Sequence, residues 1–374
     1  MKVKYMKIII RILFFKLILV LLSSNSYALK LGTPNTDVSR LLNKKMKIKV
    51  SISYIENGIR IPVVRLPFII TQELKPDIFL ETDSQGLLLL NCTASTKPLI
   101  FRATMDNKLF RIFNLDRGEV DSFVFKASCG GDGFVTVPGE SEEGGALWLW
   151  NLLGKVHSRM ISIMGPQSWK KIPMRWSATR SIYNLSVGLD SHASTITLDS
   201  EIVKNRWNEL IGHEIGHYVF MNSGINKKIG GRHSGTECVN EKLAFTEGMA
   251  NFFSAWLFLD PKDQNAYFHN LIYLLNPKTE LLIPFVNIPD TISYETELLE
   301  VCKGTANETR LGSFFWNLVV SGSKNKTSDE IFKDIWHALA GKYITNINEA
   351  IIELKKNGFD PDELDAIADR VFAL

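Results

Sequence analysis

The sequence predicts an α+β fold in which an N-terminal β-sandwich is followed by a mostly helical domain. Short runs of β-forming residues, separated by turn residues, fill residues 46–126. Apolar stretches with helix-capping residues dominate the C-terminal half. With 374 residues, 45% of them apolar, the chain can form two domains. The expected segments are a signal peptide at 1–28, a β-sandwich at 29–137, a linker at 138–145 and a second domain at 146–374.

The first 28 residues have the pattern of a secretory signal peptide. Lysines precede the apolar runs, and Ser26 and Ala28 provide the small side chains that a signal peptidase recognises. Arg11 and Lys16 interrupt the apolar run, which argues against a membrane-spanning helix. We therefore expect a secreted or periplasmic protein without stable membrane insertion after cleavage. An uncleaved N-terminal anchor is the alternative.

Removal of this segment takes away five basic and no acidic residues, which changes the net charge from +3 to −2. This net charge gives no indication of nucleic-acid binding, so nucleic acid is not an expected partner.

The four cysteines are Cys92, Cys129, Cys238 and Cys302. In an oxidising compartment an even number indicates disulfides, and the absence of a C-x-x-C pair disfavours a cysteine zinc site. Three pairings are possible. We predict Cys92–Cys129 and Cys238–Cys302, because each pair lies within one expected domain.

Turn residues divide the N-terminal region into short expected strands. KIKVSISYI leads into Asn57-Gly58, which is a hairpin signal, and IRIPVVRL follows. Further strands are expected at IFLET, LLLLNC, LIFRA, LFRIF and FVFKA. This density of short strands predicts a sandwich.

One segment of this region, LETDSQGLLLL, has a T-D-x-x-G pattern formed by Thr82, Asp83 and Gly86. It resembles the transthyretin-like or carboxypeptidase-regulatory-like accessory sandwich of many exported enzymes. An ordinary β-hairpin turn explains the same residues equally well.

Residues 138–145, PGESEEGG, combine turn-forming and acidic residues, which predicts a linker. ALWLWNLL is an expected helix, and KIPMRWSA and SHASTITL are expected strands. A long helix is expected from Asp199 or Ser200 to about Met221. The expected caps of the C-terminal helices are Ser328 or Asp329, Asn346 with Glu349, and Asp360.

The stretch NELIGHEIGHYVF places His213 and His217 four positions apart. Residues with this spacing share a helix face, so the two imidazoles can hold one metal ion. Glu214 points to the side of that pair, where its carboxylate can take a proton from a water without being a ligand. The alternative is a buried helix whose histidines bond to backbone carbonyls.

A catalytic zinc ion needs three protein ligands and an open position. The metzincin pattern HExxHxxGxxH is excluded, because this chain has Phe220 and Ser223 at the required Gly and His positions. Glu247 is the only charged residue in the apolar stretch from Leu243 to Leu259, where an unpaired carboxylate would be costly. We therefore expect Glu247 to be the third ligand.

HEIGH followed by TEGMANFF resembles the gluzincin metallopeptidases, the group that contains thermolysin and the zinc aminopeptidases. The resemblance covers residues 145–320 and implies a zincin-like domain with one catalytic Zn²⁺. It implies that His213, His217 and Glu247 bind the ion and that Glu214 is the general base.

Asn251 departs from the family pattern. It takes the position at which thermolysin-like enzymes have an Asp that orients the first zinc histidine. Its amide oxygen can accept the same hydrogen bond but adds no negative charge.

Two other glutamates compete for the role of third ligand. Glu237 follows His217 by twenty residues, which matches the spacing in thermolysin, but it lies in a loop-like stretch. Glu241 follows Asn240 as the ligand does in related motifs. It is six residues from Glu247, about 240° around the helix, so the two cannot hold one ion together.

His233 follows two glycines in the insertion between the zinc-binding helices. It could stabilise the oxyanion, as a histidine does in thermolysin, or be an exposed loop residue. Tyr294 is a weaker candidate for the same role.

These residues predict an exported zinc metallopeptidase that hydrolyses peptide bonds with a zinc-bound water activated by Glu214. Its expected partner is a protein or peptide substrate. The alternatives are a binding or adhesion protein with a degenerate peptidase domain, or a zinc hydrolase of a non-peptide bond. The N-terminal domain is either retained or removed as a propeptide.

Overall fold

The computed structural model describes residues 45–372, except residues 74, 94–96, 166–169, 180–187, 191–194, 227–230, 232, 273–278 and 295–296. The predicted signal peptide lies outside this range. Helices and strands are both abundant in the described chain, which confirms the α+β class. Among these residues, none of the helices has the length and apolar character needed to cross a bilayer.

The described helices, in chain order, are α1 (Glu142–Met164), α2 (Ser200–Lys204), α3 (Asn208–Asn222), α4 (Glu241–Phe258), α5 (Glu308–Gly322), α6 (Ser328–Leu339), α7 (Ile347–Lys356) and α8 (Pro361–Phe372).

The described strands are β1 (Lys45–Glu56), β2 (Ile59–Pro62), β3 (Pro67–Thr71), β4 (Ile78–Glu81), β5 (Leu87–Thr93), β6 (Leu99–Thr104), β7 (Phe110–Asn114), β8 (Glu119–Val120), β9 (Ser122–Ala127), β10 (Asp132–Val137), β11 (Ile172–Trp176), β12 (Gly188–Asp190), β13 (Thr195–Leu198), β14 (Tyr267–Ile272), β15 (Thr279–Pro284), β16 (Thr291–Tyr294) and β17 (Glu297–Glu300).

Strand β1 is the centre of the first sheet. One of its edges pairs antiparallel with β5 and then β2, and the other pairs parallel with β10. Asn57 and Gly58 join β1 to β2 with φ of 49° and 76°, as a type I′ hairpin turn requires. A second, antiparallel sheet has the order β4-β3-β6-β9. Buried side chains of both sheets, such as Val50 and Phe101, belong to one core.

The segment around Asp83 forms a closed turn between β4 and β5. The Asp83 carboxylate accepts hydrogen bonds from the backbone N–H groups of Gln85 and Leu87 at 2.8 and 2.9 Å. Gly86 has a φ of 69°, which explains the glycine at this position. Thr82 is buried, and its hydroxyl accepts a hydrogen bond from the Leu66 N–H at 2.9 Å.

A third sheet, of order β12-β13-β11-β7-β8, joins the two halves of the chain, because β7 pairs in parallel with β11. The expected linker at 138–145 is partly helical in the structure, because residues 142–145 belong to helix α1. Helix α1 begins at Glu142, and Ser141 caps it by accepting from the Gly144 N–H at 3.0 Å. Gly144 and Gly145 are buried, and a Cβ added at Gly145 would lie only 3.2 Å from the Trp176 ring.

The long helix expected up to Met221 is instead two helices. Asp199 caps α2, as predicted, by accepting from the Glu201 N–H at 2.9 Å. The break follows at Arg206, which has a φ of 57°. Its guanidinium donates to the carbonyls of Val203 and Gly139 at 2.9 and 2.6 Å, and these contacts hold the left-handed conformation in place.

Helix α4 packs between α3 and α5, and glycines permit the close approach. A Cβ at Gly216 of α3 would lie 3.1 Å from the Ala250 backbone of α4. A Cβ at Gly248 of α4 would lie 2.8 Å from the Glu308 carbonyl of α5. The three helices therefore form a tightly packed unit that fixes the side chains they carry.

Both predicted disulfides are confirmed, with Cα–Cα distances of 5.9 Å for Cys92–Cys129 and 5.2 Å for Cys238–Cys302. The Asn346 cap of α7 is confirmed. The cap of α6 is Thr327, one residue before the expected Ser328, because Thr327 forms a capping box with Glu330.

Candidate metal centre

Helix α3 carries His213, Glu214 and His217 in its buried middle section. Their exposed fractions are 8%, 7% and 5%. Apolar residues flank the three side chains, and α4 covers the helix. Polar groups this deep in a protein need hydrogen-bond partners or a bound ion.

The two histidines face Glu247 of α4, which is itself only 5% exposed. Its Oε2 atom lies 3.1 Å from His213 Nε2 and 2.8 Å from His217 Nε2, and the two ring nitrogens are 3.0 Å apart. The structure thus brings together the three predicted ligands. It is the one group in the described chain that could hold a metal ion.

The donor set fits a cation. Two ring nitrogens 3.0 Å apart repel each other through their lone pairs unless a proton or a cation lies between them. In a tetrahedral zinc site with bonds of about 2.0 Å, donor atoms lie about 3.3 Å apart, close to the observed separations. Two imidazoles with a carboxylate are a typical set for catalytic zinc.

The electrostatics favour an anionic carboxylate. Burial would raise the pKa of Glu247, but the charge of His217 and hydrogen bonds from both histidines hold it well below its usual value. Burial would lower the pKa of His213, but the hydrogen bond to Glu247 and the charge of Glu214 raise it. The centre therefore attracts positive charge.

Asn251 contacts His213, the histidine that the sequence predicts it to orient. Its Oδ1 atom accepts a hydrogen bond from His213 Nδ1 at 2.7 Å, which leaves Nε2 directed at Glu247. The corresponding Nδ1 atom of His217 is buried and has no hydrogen-bond partner among the described residues. Within the described part of the chain, an additional side chain therefore orients His213 but not His217.

His233 lies beside the centre rather than in the solvent. Its Nε2 atom is 3.6 Å from Glu247 Oε2, and its Nδ1 atom is 2.7 Å from Glu308 Oε2. Burial would lower the pKa of His233, but the Glu308 hydrogen bond and the surrounding carboxylates raise it to about 9.

Sequence reasoning missed Glu308, which is only 2% exposed. In the sequence it is an ordinary acidic residue in the first turn of a helix, and nothing nearby marks it as the partner of a histidine 75 residues away.

The competing glutamates lie elsewhere. Glu237 is exposed. Glu241 is an exposed first residue of α4 and accepts a hydrogen bond from the Thr305 hydroxyl at 3.1 Å. Tyr294 ends strand β16, but its side chain lies outside the described part of the chain.

The α+β fold and this buried group define a candidate metalloprotein. No protein-family model matches the chain, and a search of curated proteins finds no match.

Proposed function

We propose that the chain is an exported zinc metallopeptidase of the gluzincin type. The observation that carries the proposal is the convergence of His213, His217 and Glu247 from two adjacent helices. Glu214 is buried on the same helix and close enough to His213 and His233 to influence the pKa of both rings. This combination matches the general requirement of metal-assisted hydrolysis for three ligands and a nearby carboxylate base.

His213, His217 and Glu247 would hold the ion. Zinc at such a centre supplies a Lewis acid that polarises a carbonyl and makes water more acidic. The Glu214 carboxylate accepts the proton of the attacking water and then donates it to the leaving amine nitrogen.

His233 would act on the substrate oxygen. Glu308 holds its Nδ1 atom, so the ring presents Nε2 on the side of the metal ligands. A donor fixed at this place can stabilise negative charge that develops on the carbonyl oxygen.

The accessory β-sandwich expected at 29–137 would be formed by the two N-terminal sheets, whereas β7 and β8 of the same range belong to the third sheet. The two N-terminal sheets share a buried core, which supports this proposal. Two disulfides support maturation in an oxidising compartment.

The test is hydrolysis of an unstructured protein by the purified mature chain. We expect cleavage that a chelator abolishes and that stoichiometric zinc restores. A zinc-loaded protein that cleaves ester or amide model compounds but no peptide would indicate a non-peptide hydrolase. Absence of any hydrolysis by the zinc-loaded protein would overturn the proposal.

A further inference from the structure

The loop that carries His233 is fastened to the start of helix α5. The carbonyl of Gly235 accepts hydrogen bonds from Asn307 Nδ2 at 3.0 Å and from the Thr309 hydroxyl at 2.8 Å. Glu308, between these two residues, holds the His233 ring. Three consecutive residues at the start of α5 therefore fix both the loop and the histidine.

The Cys238–Cys302 disulfide joins the His233 loop to the segment that precedes α5. Next to it, the Cys302 N–H donates to the Thr236 carbonyl at 2.9 Å, and the Val239 N–H donates to the Ala306 carbonyl at 2.8 Å. This loop, residues 233–240, is thus tied to residues 302–309 by one covalent bond and several hydrogen bonds.

The Cys302 end of the disulfide is anchored in the body of the protein. Arg310 is 1% exposed, and its guanidinium donates to the carbonyls of Cys302 and Val371, both at 2.8 Å. Cys238, in contrast, is exposed, whereas Cys92 of the other disulfide is buried. A reductant can therefore reach the bond from the loop side, while the opposite side stays fixed.

We propose that Cys238–Cys302 is a redox-sensitive clamp that positions His233 against Glu308, so that reduction lowers turnover without removing the metal ligands. This inference rests on the proposed role of His233. Cys238 and Cys302 are positioning residues that act through the loop.

The step is a two-electron thiol–disulfide exchange with a dithiol reductant. A thiolate of the reductant attacks Cys238 Sγ, the bond between the cysteines breaks, and Cys302 leaves as a thiolate that takes up a proton. The second thiol of the reductant then displaces Cys238. The products are two protein thiols and the cyclic disulfide of the reductant.

The first test does not depend on activity. Amide hydrogen exchange of residues 234–240 is compared in wild type, in Cys238→Ser/Cys302→Ser and in the matched control Cys92→Ser/Cys129→Ser. We expect exchange at least about tenfold faster in the first variant only, because it alone loses the clamp. Unchanged exchange in that variant, with α3 and α4 still protected, would overturn the inference.

The second test uses turnover. Cys238→Ser/Cys302→Ser should lower kcat by about the same factor as His233→Gln, roughly 10²-fold, with the zinc content of wild type. Combining both changes should cause no further loss. In the Cys92→Ser/Cys129→Ser background, a dithiol should lower kcat reversibly. If the combined variant showed the product of the two separate kcat losses, or if Cys238→Ser/Cys302→Ser lost zinc, the inference would be overturned. A wild type that hydrolyses nothing would overturn the proposed function instead. The hydrogen-exchange result would still show whether the disulfide holds the loop in place.

Discussion

His213 and Asn251 join helices α3 and α4 through a 2.7 Å hydrogen bond from the ring Nδ1–H to the amide oxygen. This bond fixes the ring orientation that presents Nε2 to Glu247. Asn251→Ala should lower zinc affinity by about 10–100-fold, because the ring loses its acceptor. Asn251→Asp keeps an acceptor and adds charge, so it should bind zinc at least as tightly as wild type. Competition with a chromogenic chelator measures both, and equal affinities for Asn251→Ala and wild type would contradict the assigned role.

The identity of the third ligand can be tested by removing each glutamate in turn. Glu247→Gln should abolish stoichiometric zinc binding, because it removes a ligand from a buried three-donor group. Glu237→Gln and Glu241→Gln are matched controls, since both side chains are exposed, and should retain zinc. The measurement is zinc content after dialysis. Loss in Glu237→Gln with retention in Glu247→Gln would reverse the assignment.

The proposed role of Glu214 as a general base can be distinguished from metal binding by one substitution. Glu214→Gln should lower hydrolysis by at least about 10²-fold, because an amide cannot accept the proton of the attacking water. Zinc should stay bound, because the carboxylate is not among the three converging donors. Turnover and zinc content are measured on the same sample. Near-wild-type turnover with full zinc would rule out this mechanism.

The stability of the metal-free protein should depend on pH through His233. Its folded-state pKa is about 9, and the unfolded value is about 6.5. The folded state binds the proton more tightly, so this stabilisation is complete below about pH 6.5 and is lost as the pH rises to about 9.

In that window wild type should lose more stability than His233→Gln, as urea unfolding with a chelator present would show. His337→Gln changes an exposed histidine on α6 and serves as the control. Equal pH slopes for wild type and His233→Gln would contradict the prediction.

Close packing of the helices should make Gly248 sensitive to substitution. In Gly248→Ala the new Cβ would lie 2.7 Å from Leu311 Cβ. We expect destabilisation by about 1–3 kcal/mol. A Cβ added at Gly154 of α1 would meet no neighbouring atom within 4 Å, so Gly154→Ala should stabilise the protein by about 0.5–1 kcal/mol. Thermal and urea unfolding measure both variants, and a neutral Gly248→Ala would show that α4 and α5 can separate without cost.

The sequence by itself determined the local features of this protein. The α+β class, the Asn57-Gly58 turn and the metal-ligand candidates on α3 follow from patterns a few residues long. Glu247 was also identified in this way, because a lone carboxylate in an apolar helix needs a compensating partner. The two disulfide pairings followed from the expected division of the chain into two domains.

Only the tertiary structure decided the rest. Strand β10 and the pairing of β7 with β11 depend on partners far away in the chain, which no local pattern encodes. The Arg206 side chain at the helix break donates to the carbonyl of Gly139, which lies 67 residues earlier in the chain. Glu308 contacts His233 because hydrogen bonds hold the loop that carries His233 against the start of α5. Short-range periodicity determines which residues can form helices, strands and ligands, whereas packing between distant segments determines which of these residues meet.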